Sequence, residues 1–114
     1  MVRSKSELVI ANHLCSLELP YHYERPLEGT ASPGRLRPDF SFVTDAGEVV
    51  VWEHLGMLDR DDYRRGWEWK LEWYKNNGFK IGENLFTTQE SEKGGLDMRP
   101  IEETARTIRK LLQS

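Results

Sequence analysis

Alternating hydrophobic and polar positions divide the middle of the chain into two strands joined by a tight turn. Large apolar side chains recur at every second position, at Phe40, Phe42, Val50 and Trp52. Such alternation with β-branched and aromatic residues is typical of strands. The turn covers residues 44–48, and Gly47 suits a hairpin loop that ends in a left-handed residue. The pattern therefore predicts a β-hairpin at the centre of the fold.

The register of this hairpin brings two acidic residues opposite each other. When Thr44 faces Glu48 at the turn, Asp39 faces Glu53 across the strands. Carboxylates at directly opposite positions have Cβ atoms about 5 Å apart and repel each other. A hard cation would offset that repulsion, because Mg²⁺ is bound by a few carboxylate and carbonyl oxygens. Two interpretations stay open: a metal site at this pair, or a solvated carboxylate at a strand end.

The first predicted helix covers residues 4–18. Ser4 and Glu7 have the spacing of a capping box, which marks a helix N-terminus. Apolar residues at helical spacing form its buried stripe, namely Ile10, Ala11, Leu14 and Leu17. Glu7 lies at the top of the same stripe. It either closes the cap only, or points at the sheet and adds a third carboxylate to the metal site.

The second predicted helix runs from about residue 60 to residue 77, with Asp59 or Asp61 as its cap and Gly78 as its C-terminal signal. One face is mostly apolar and carries Tyr63, Trp67, Leu71 and Tyr74. Lys70 lies in the middle of that face. Because burial of an unpaired ammonium is costly, the lysine either pairs with the acidic residues of the sheet or extends its amine to water.

The opposite face of the second helix carries Trp69 and Trp73, one turn apart. Two exposed tryptophans predict a missing partner. The partner would be a nucleic-acid base, a second subunit in a homodimer, or the rest of a longer protein. The alternative is that loops of the same chain cover both side chains.

The remaining segments complete an α/β order. Residues 21–27 predict a strand before the hairpin, and residues 80–88 predict a strand after the second helix. Residues 98–112, with Pro100 near the start, predict a last helix. The order helix, three strands, helix, strand, helix predicts a mixed four-stranded sheet flanked by helices. The first three strands are expected to be antiparallel and the fourth parallel to the third.

Composition limits the class of protein. A chain of 114 residues is predicted to form one domain, and its net charge of −3 argues against strong nonspecific nucleic-acid binding, although a local basic patch stays open. The single cysteine, Cys15, excludes an internal disulfide and fits a reducing, cytoplasmic location. The three histidines have no zinc spacing. No apolar run approaches a membrane span and no signal peptide is recognisable, so no membrane partner is expected.

Pro38-Asp39 in one strand and Glu53 in the next resemble the acidic motif of the PD-(D/E)XK nuclease superfamily. The element order resembles its restriction-endonuclease-like core, so the resemblance covers nearly the whole chain. Residues 3–7 are similar to the first-helix glutamate motif of several superfamily members. Residues 52–58 and 70–74 are similar to a nuclease-like domain found beside superfamily-one helicase modules. The resemblance implies a domain that hydrolyses DNA in repair, recombination or helicase-coupled processing. The start of the chain at residues 3–5 and the two unpartnered tryptophans predict that it is cut from a larger protein. The helicase module would belong to the same chain or to another.

The resemblance also implies a role for each residue of the acidic site. Asp39, Glu53 and the backbone carbonyl of His54 would bind Mg²⁺ or Mn²⁺. Glu7 would bind the ion through water or help a second ion. Four arginines are candidates for contacts to DNA phosphates: Arg35, Arg37, Arg64 and Arg65.

One position departs from the superfamily pattern. A lysine is expected two residues after the glutamate, where this chain has Leu55. Some members move this lysine to the following helix, which is the position of Lys70. There it would stabilise the transition state or orient the attacking water. If Lys70 does not reach the site, the resemblance implies a degenerate nuclease fold that only binds nucleic acid or a protein partner.

Overall fold

A mixed sheet lies between helices on both of its faces. The structure is a computed structural model that describes residues 4–31, 34–56, 58–90 and 96–113. In these ranges the elements are α1 (Lys5–Ser16), β1 (His22–Tyr23), β2 (Leu27–Glu28), β3 (Arg35–Leu36), β4 (Phe40–Val43), β5 (Val49–Leu55), α2 (Asp61–Asn76), β6 (Leu85–Gln89) and α3 (Met98–Gln113). A four-stranded sheet has the order β1-β4-β5-β6, and β2 pairs with β3 separately.

The strand directions confirm the prediction from element order. Strands β1 and β4 are antiparallel, as are β4 and β5. Strand β6 runs parallel to β5, as expected for a strand that follows a crossover helix. The predicted hairpin register is also confirmed, because Phe40 pairs with Trp52 and Val43 with Val49. Gly47 adopts φ +83° in the turn, a conformation that a residue without a Cβ tolerates best.

Each face of the sheet has its own core. One face packs against α1 and α3 through Phe40, Phe42, Val50, Trp52, Ile10, Leu14, Ile101 and Ile108. The other face contributes Val51 and Leu85, which pack with Tyr74 of α2 and with Phe79. Alternate residues of a strand point to opposite faces, so Glu53, which has the parity of Val51, faces α2. The hairpin therefore directs its acidic residue toward the second helix.

The strand predicted over residues 21–27 is not continuous. It divides into β1 and β2, because Glu24 adopts φ +51° and Pro26 has no N–H for a ladder. Tyr21 and Tyr23 nevertheless share a face, as predicted, and their ring centroids lie 5.5 and 5.7 Å from that of Phe40. The stretch 80–88 holds a strand as predicted, and β6 begins at Leu85, where residues 85–88 have the clearest strand pattern.

The second helix ends as predicted but begins differently. Its N-cap is Arg60, which makes no side-chain capping hydrogen bond, so the prediction of Asp59 or Asp61 as the cap was wrong. Asp61 is the first residue of the helix, where its carboxylate still interacts favourably with the helix dipole. Gly78 follows the helix with φ +88°, which confirms the C-terminal signal.

The two tryptophans of α2 have different environments. Trp69 is 61% exposed, as predicted. Trp73 is only 4% exposed and packs with Leu36 and Phe79, so the expectation that it faces solvent was wrong. The chain around β3 covers it, and Gly34 would place a Cβ 3.7 Å from the Trp73 ring nitrogen. The alternative that loops of the same chain cover these side chains holds for Trp73.

Truncation of one core side chain of α1 is expected to destabilise the fold. Ile10 is fully buried between α1 and the sheet. We expect Ile10→Ala to lower the free energy of unfolding by about 2–5 kcal/mol, because it removes apolar contacts and leaves a cavity. Urea denaturation measures this change. Val9→Ala on the exposed side of the same helix is the control, and equal losses in the two variants would contradict the assigned core.

Within the described ranges, no helix is both long and apolar enough to cross a lipid bilayer.

Candidate functional site

The carboxylates of Asp39 and Glu53, called the acid pair below, each accept a hydrogen bond from the backbone on the other side of the hairpin. The Asp39 backbone N–H donates to Glu53 Oε1 at 2.8 Å. In return, the His54 backbone N–H donates to Asp39 Oδ2 at 2.8 Å. One oxygen of each carboxylate is thus bound to the backbone, and the second oxygen of each is available to another group. The predicted register produces this arrangement directly, because these residues continue the ladder of β4 and β5.

The acid pair carries an excess of negative charge. The pKa of Asp39 is raised to about 7, chiefly by burial and then by the nearby charge of Glu53. Glu7 contributes to the rise in this pKa, whereas the His54 N–H and the Lys70 ammonium oppose it. The positive groups around Asp39 are therefore too few to hold it fully ionised at neutral pH. A divalent cation would offset this charge.

Lys70 reaches the acid pair from α2. Its Nζ lies 3.4 Å from Glu53 Oε2, and Glu53 is only 2% exposed. The lysine side chain is itself 38% exposed, so its amine contacts both the carboxylate and solvent. Both sequence interpretations are therefore partly right. The prediction that this lysine pairs with the sheet carboxylates is confirmed for Glu53.

Glu7 belongs to the cap of α1 and also contacts the sheet, whereas its role as a third carboxylate for a metal ion stays a prediction. Ser4 is the N-cap of α1, and its hydroxyl accepts the Glu7 backbone N–H at 3.1 Å. The Glu7 carboxylate accepts hydrogen bonds from the Ser4 hydroxyl at 2.8 Å and from the Tyr23 hydroxyl at 2.7 Å. Tyr23 belongs to β1, so Glu7 is bound to the sheet as well as to its own helix. This carboxylate also faces the cleft that contains Asp39.

A cleft of about 310 Å³ lies between the hairpin, α1 and α2. It is lined by Glu7, Asp39, Glu53, His54, Leu55, Tyr63, Gly66, Trp67 and Lys70. No cluster of three or more Asp, Glu, His or Cys side chains has a metal-holding arrangement in the described part of the chain. A Mg²⁺ ion at this place would depend on the two carboxylates, a backbone carbonyl and water, which are kinds of ligand that this ion commonly uses. The cleft leaves room for the water.

Two polar groups near the acid pair were not identified from the sequence. Tyr74 was assigned to the apolar face of α2, yet its hydroxyl lies near Glu53; burial, and then the Glu53 charge, raise its pKa. This buried hydroxyl makes no hydrogen bond of normal geometry to the described residues. The His54 side chain is also buried, and it contacts Thr88 and Glu90. The sequence contained one signal for the buried His54 side chain, because alternation along β5 places His54 on the same face of the sheet as Trp52.

The four arginines predicted to contact phosphates lie outside the residues that line the cleft. Arg35 belongs to β3 and pairs with Glu28 at 3.1 Å. Arg64 pairs with Asp61 at 2.7 Å, and Arg65 donates to the backbone carbonyl of the same residue at 3.3 Å. Arg35, Arg64 and Arg65 thus each contact an acceptor on their own helix or their own two-stranded sheet. Their contact with nucleic acid stays a prediction, as does that of the exposed Arg37.

Comparison with known proteins assigns no family. No family model matches the chain, and no solved structure matches it. A segment of 81 residues is 41% identical to the uncharacterized protein MJ1519 of Methanocaldococcus jannaschii. The segment covers 70% of this chain, and the chain spans about 7% of the length of that relative. The chain is therefore similar to a small part of a much longer protein.

The raised pKa of Asp39 predicts how the stability of the metal-free protein depends on pH. A carboxyl with a raised folded pKa stabilises the fold while it is protonated, and this contribution disappears as the pH rises from about 4 through about 7. We expect the free energy of unfolding to fall over this interval. Asp39→Asn should reduce the fall by on the order of 1–3 kcal/mol. Chemical denaturation in chelator across the pH range measures it; parallel curves for the two proteins would contradict the assignment.

Proposed function

We propose that the chain is a metal-dependent nuclease domain of the PD-(D/E)XK type, with a restriction-endonuclease-like core, that hydrolyses DNA phosphodiester bonds. The observation that carries the proposal is the contact of Lys70 Nζ with Glu53 Oε2 at 3.4 Å. It joins a lysine of the following helix to the acidic residues of the hairpin, beside a cleft open to solvent. An acid pair with a lysine is the chemical set that this reaction needs.

The proposed ligands of Mg²⁺ or Mn²⁺ are Asp39, Glu53 and the backbone carbonyl of His54. The reciprocal hydrogen bonds at 2.8 Å hold the two carboxylates side by side before an ion arrives. When bound, the ion polarises a phosphate oxygen and lowers the pKa of a coordinated water. Glu7, on the α1 side of the cleft, would bind the ion through water or help to hold a second ion.

Lys70 supplies the positive charge on the α2 side of the cleft. Its ammonium donates hydrogen bonds to the phosphate as negative charge accumulates, or orients the attacking water. The attacking water releases a proton to solvent as its oxygen forms a bond to phosphorus, the bond to the leaving oxygen breaks, and the leaving oxygen receives a proton from solvent. Because Glu53 is almost fully buried, it holds Lys70 near the reacting phosphate and limits the conformations of this long side chain.

The proposed setting is DNA repair, recombination or helicase-coupled processing. It rests on the resemblance of residues 52–58 and 70–74 to a nuclease-like domain found beside superfamily-one helicase modules. The similarity to a small part of a long relative supports a domain that works within a larger protein. DNA and a helicase module of the same or another chain are the proposed partners. Trp69 keeps its three alternatives: a base, a second subunit or a further segment.

One observation favours a second candidate, a degenerate nuclease fold that only binds nucleic acid or a protein partner. The Lys70 ammonium already contacts Glu53, so it would compete with a cation for the same carboxylate. The superfamily lysine position holds Leu55, which cannot replace it. In this second candidate the lysine substitutes for the ion, and the cleft has no hydrolytic activity.

Cleavage assays distinguish the two candidates. Labelled single-stranded, duplex and branched DNA are incubated with the protein in Mn²⁺, in Mg²⁺ and in chelator. Cleavage that requires the ion supports the nuclease. Binding of DNA without cleavage in any of these conditions supports the degenerate fold, and calorimetric titration with Mn²⁺ then shows whether the acid pair binds an ion at all.

A further inference from the structure

A partly buried series of hydrogen bonds, called the hydrogen-bond circuit below, connects the end of the hairpin with the start of α1. The His54 imidazole, 4% exposed, contacts Thr88 Oγ1 through Nδ1 at 2.8 Å and Glu90 Oε1 through Nε2 at 3.2 Å. The same oxygen of Glu90 accepts the hydroxyl of Ser6, which lies in the first turn of α1. Residues from β5, from the end of β6 and from α1 thus meet at one carboxylate oxygen.

The partners assign the proton of the neutral imidazole. Trp52 Nε1–H can only donate, and it donates to Thr88 Oγ1 at 3.0 Å. The Glu90 carboxylate can only accept, so His54 Nε2 carries the hydrogen and donates to it. In the neutral ring Nδ1 then has a lone pair and accepts the hydroxyl hydrogen of Thr88. Every donor in the chain from the indole to the carboxylate therefore has an acceptor.

We propose that His54, Glu90 and Ser6 position the first turn of α1 and thereby place Glu7 at the cleft. Ser6 immediately precedes Glu7, so a constraint on its hydroxyl constrains the neighbouring carboxylate. The Ser4 cap binds Glu7 within the same helix and cannot orient that helix against the sheet. Two polar contacts tie the first turn of α1 to the sheet, Ser6 with Glu90 on one side and Glu7 with Tyr23 on the other, and they add to the apolar packing of Ile10 and Leu14 further along the helix.

The same circuit acts on the acid pair through the backbone of His54. The His54 N–H donates to Asp39, and the His54 carbonyl is a proposed ligand of the metal ion. Hydrogen bonds that hold the imidazole in place therefore also limit the movement of the His54 backbone. Hydrogen bonds behind the ligands of a metal usually change affinity or activity by about 10–100-fold when they are removed. The effect on an ion rests on the proposed function, whereas the positioning of Glu7 does not.

Substitutions at Glu90 and Ser6 separate positioning from charge. Glu90→Gln keeps an oxygen that accepts both hydrogens, whereas Glu90→Ala removes the acceptor. We expect Glu90→Ala and Ser6→Ala to weaken Mn²⁺ binding by about tenfold in calorimetric titrations, and Glu90→Gln to stay within a few fold of wild type. Ser16→Ala is the matched control, because that hydroxyl bonds only to His13 within α1. If Glu90→Gln and Glu90→Ala lose the same amount of Mn²⁺ affinity, the charge of Glu90 and not the positioning of Glu7 is what matters. That result would overturn the proposal.

Nuclear magnetic resonance of the metal-free protein tests the circuit even if wild type binds no ion. A slowly exchanging His54 Nε2–H signal is expected in wild type and in Glu90→Gln, and its loss is expected in Glu90→Ala. The ring signals of Tyr23, far from Ser6 in sequence, report the position of Glu7; they should shift in Ser6→Ala and not in Ser16→Ala. Unchanged Tyr23 signals in Ser6→Ala would refute the positioning of Glu7. Absence of Mn²⁺ binding in wild type, with these signals as expected, would refute only the proposed ion site.

Discussion

Asp39→Asn is expected to abolish ion-dependent cleavage while the fold is retained. Asparagine keeps an oxygen that can accept the His54 N–H, so the hairpin geometry survives. It removes the negative charge of one proposed ligand, and the loss of rate should exceed the roughly 100-fold effect of groups that act behind a ligand. Single-turnover cleavage with saturating protein measures the rate, and Mn²⁺ titration measures affinity, which should fall in parallel.

The control for this variant is Asp45→Asn in the exposed hairpin turn. It makes the same chemical change on the same hairpin but outside the residues that line the cleft. It should cleave and bind Mn²⁺ like wild type. If Asp39→Asn cleaves as fast as the control, the activity belongs to another site or to a contaminant. If Asp39→Asn loses cleavage but binds Mn²⁺ as tightly as wild type, Asp39 is not a ligand of the ion.

Lys70→Ala is expected to separate cleavage from ion binding. Removal of one group that stabilises charge in a transition state costs about 10²–10³ in rate. The same change removes the ammonium that lies 3.4 Å from Glu53, so Mn²⁺ should bind as tightly as in wild type or more tightly. Single-turnover rates at saturating Mn²⁺, together with calorimetric titration, measure the two effects on the same protein.

Lys75→Ala is the matched control, because Lys75 is an exposed lysine of the same helix. It should leave both quantities unchanged. Equal cleavage rates in the two lysine variants would show that Lys70 only balances the charge of Glu53. If wild type cleaves nothing and Lys70→Ala gains Mn²⁺ affinity, the lysine occupies the place of the ion, and the degenerate fold replaces the nuclease as the better proposal.

The acid pair could be predicted from the sequence because it depends on local rules. A short turn determines which residues face each other, and alternation determines which face they share. These two rules were sufficient to place Asp39 beside Glu53. Lys70 followed from helical periodicity, since a lysine within an apolar stripe needs an anionic partner. Its distance to the carboxylate did not follow, because the angle at which α2 packs on the sheet depends on the whole core.

The errors have different origins, since one involves residues far apart in sequence and the other two depend on the local path of the backbone. Trp73 is buried because the chain around Leu36 and Gly34 packs over α2, and no helical pattern contains that information. The break between β1 and β2 depends on Glu24 in a left-handed conformation, which only the surrounding structure stabilises. The cap of α2 was misplaced by one position, because the hydrogen bonds at a helix end depend on the path of the preceding chain.

The sequence by itself determined the element order, the hairpin register and the residues able to form the acidic site. These depend on periodicity and on turns, which act over a few residues. The tertiary structure decided which polar groups meet. The contact of Ser6 with Glu90 joins positions 84 residues apart, and the contacts of His54 with Thr88 and Glu90 require β6 to lie beside β5. Such contacts form only when separate elements pack, because packing of the whole core sets their distances.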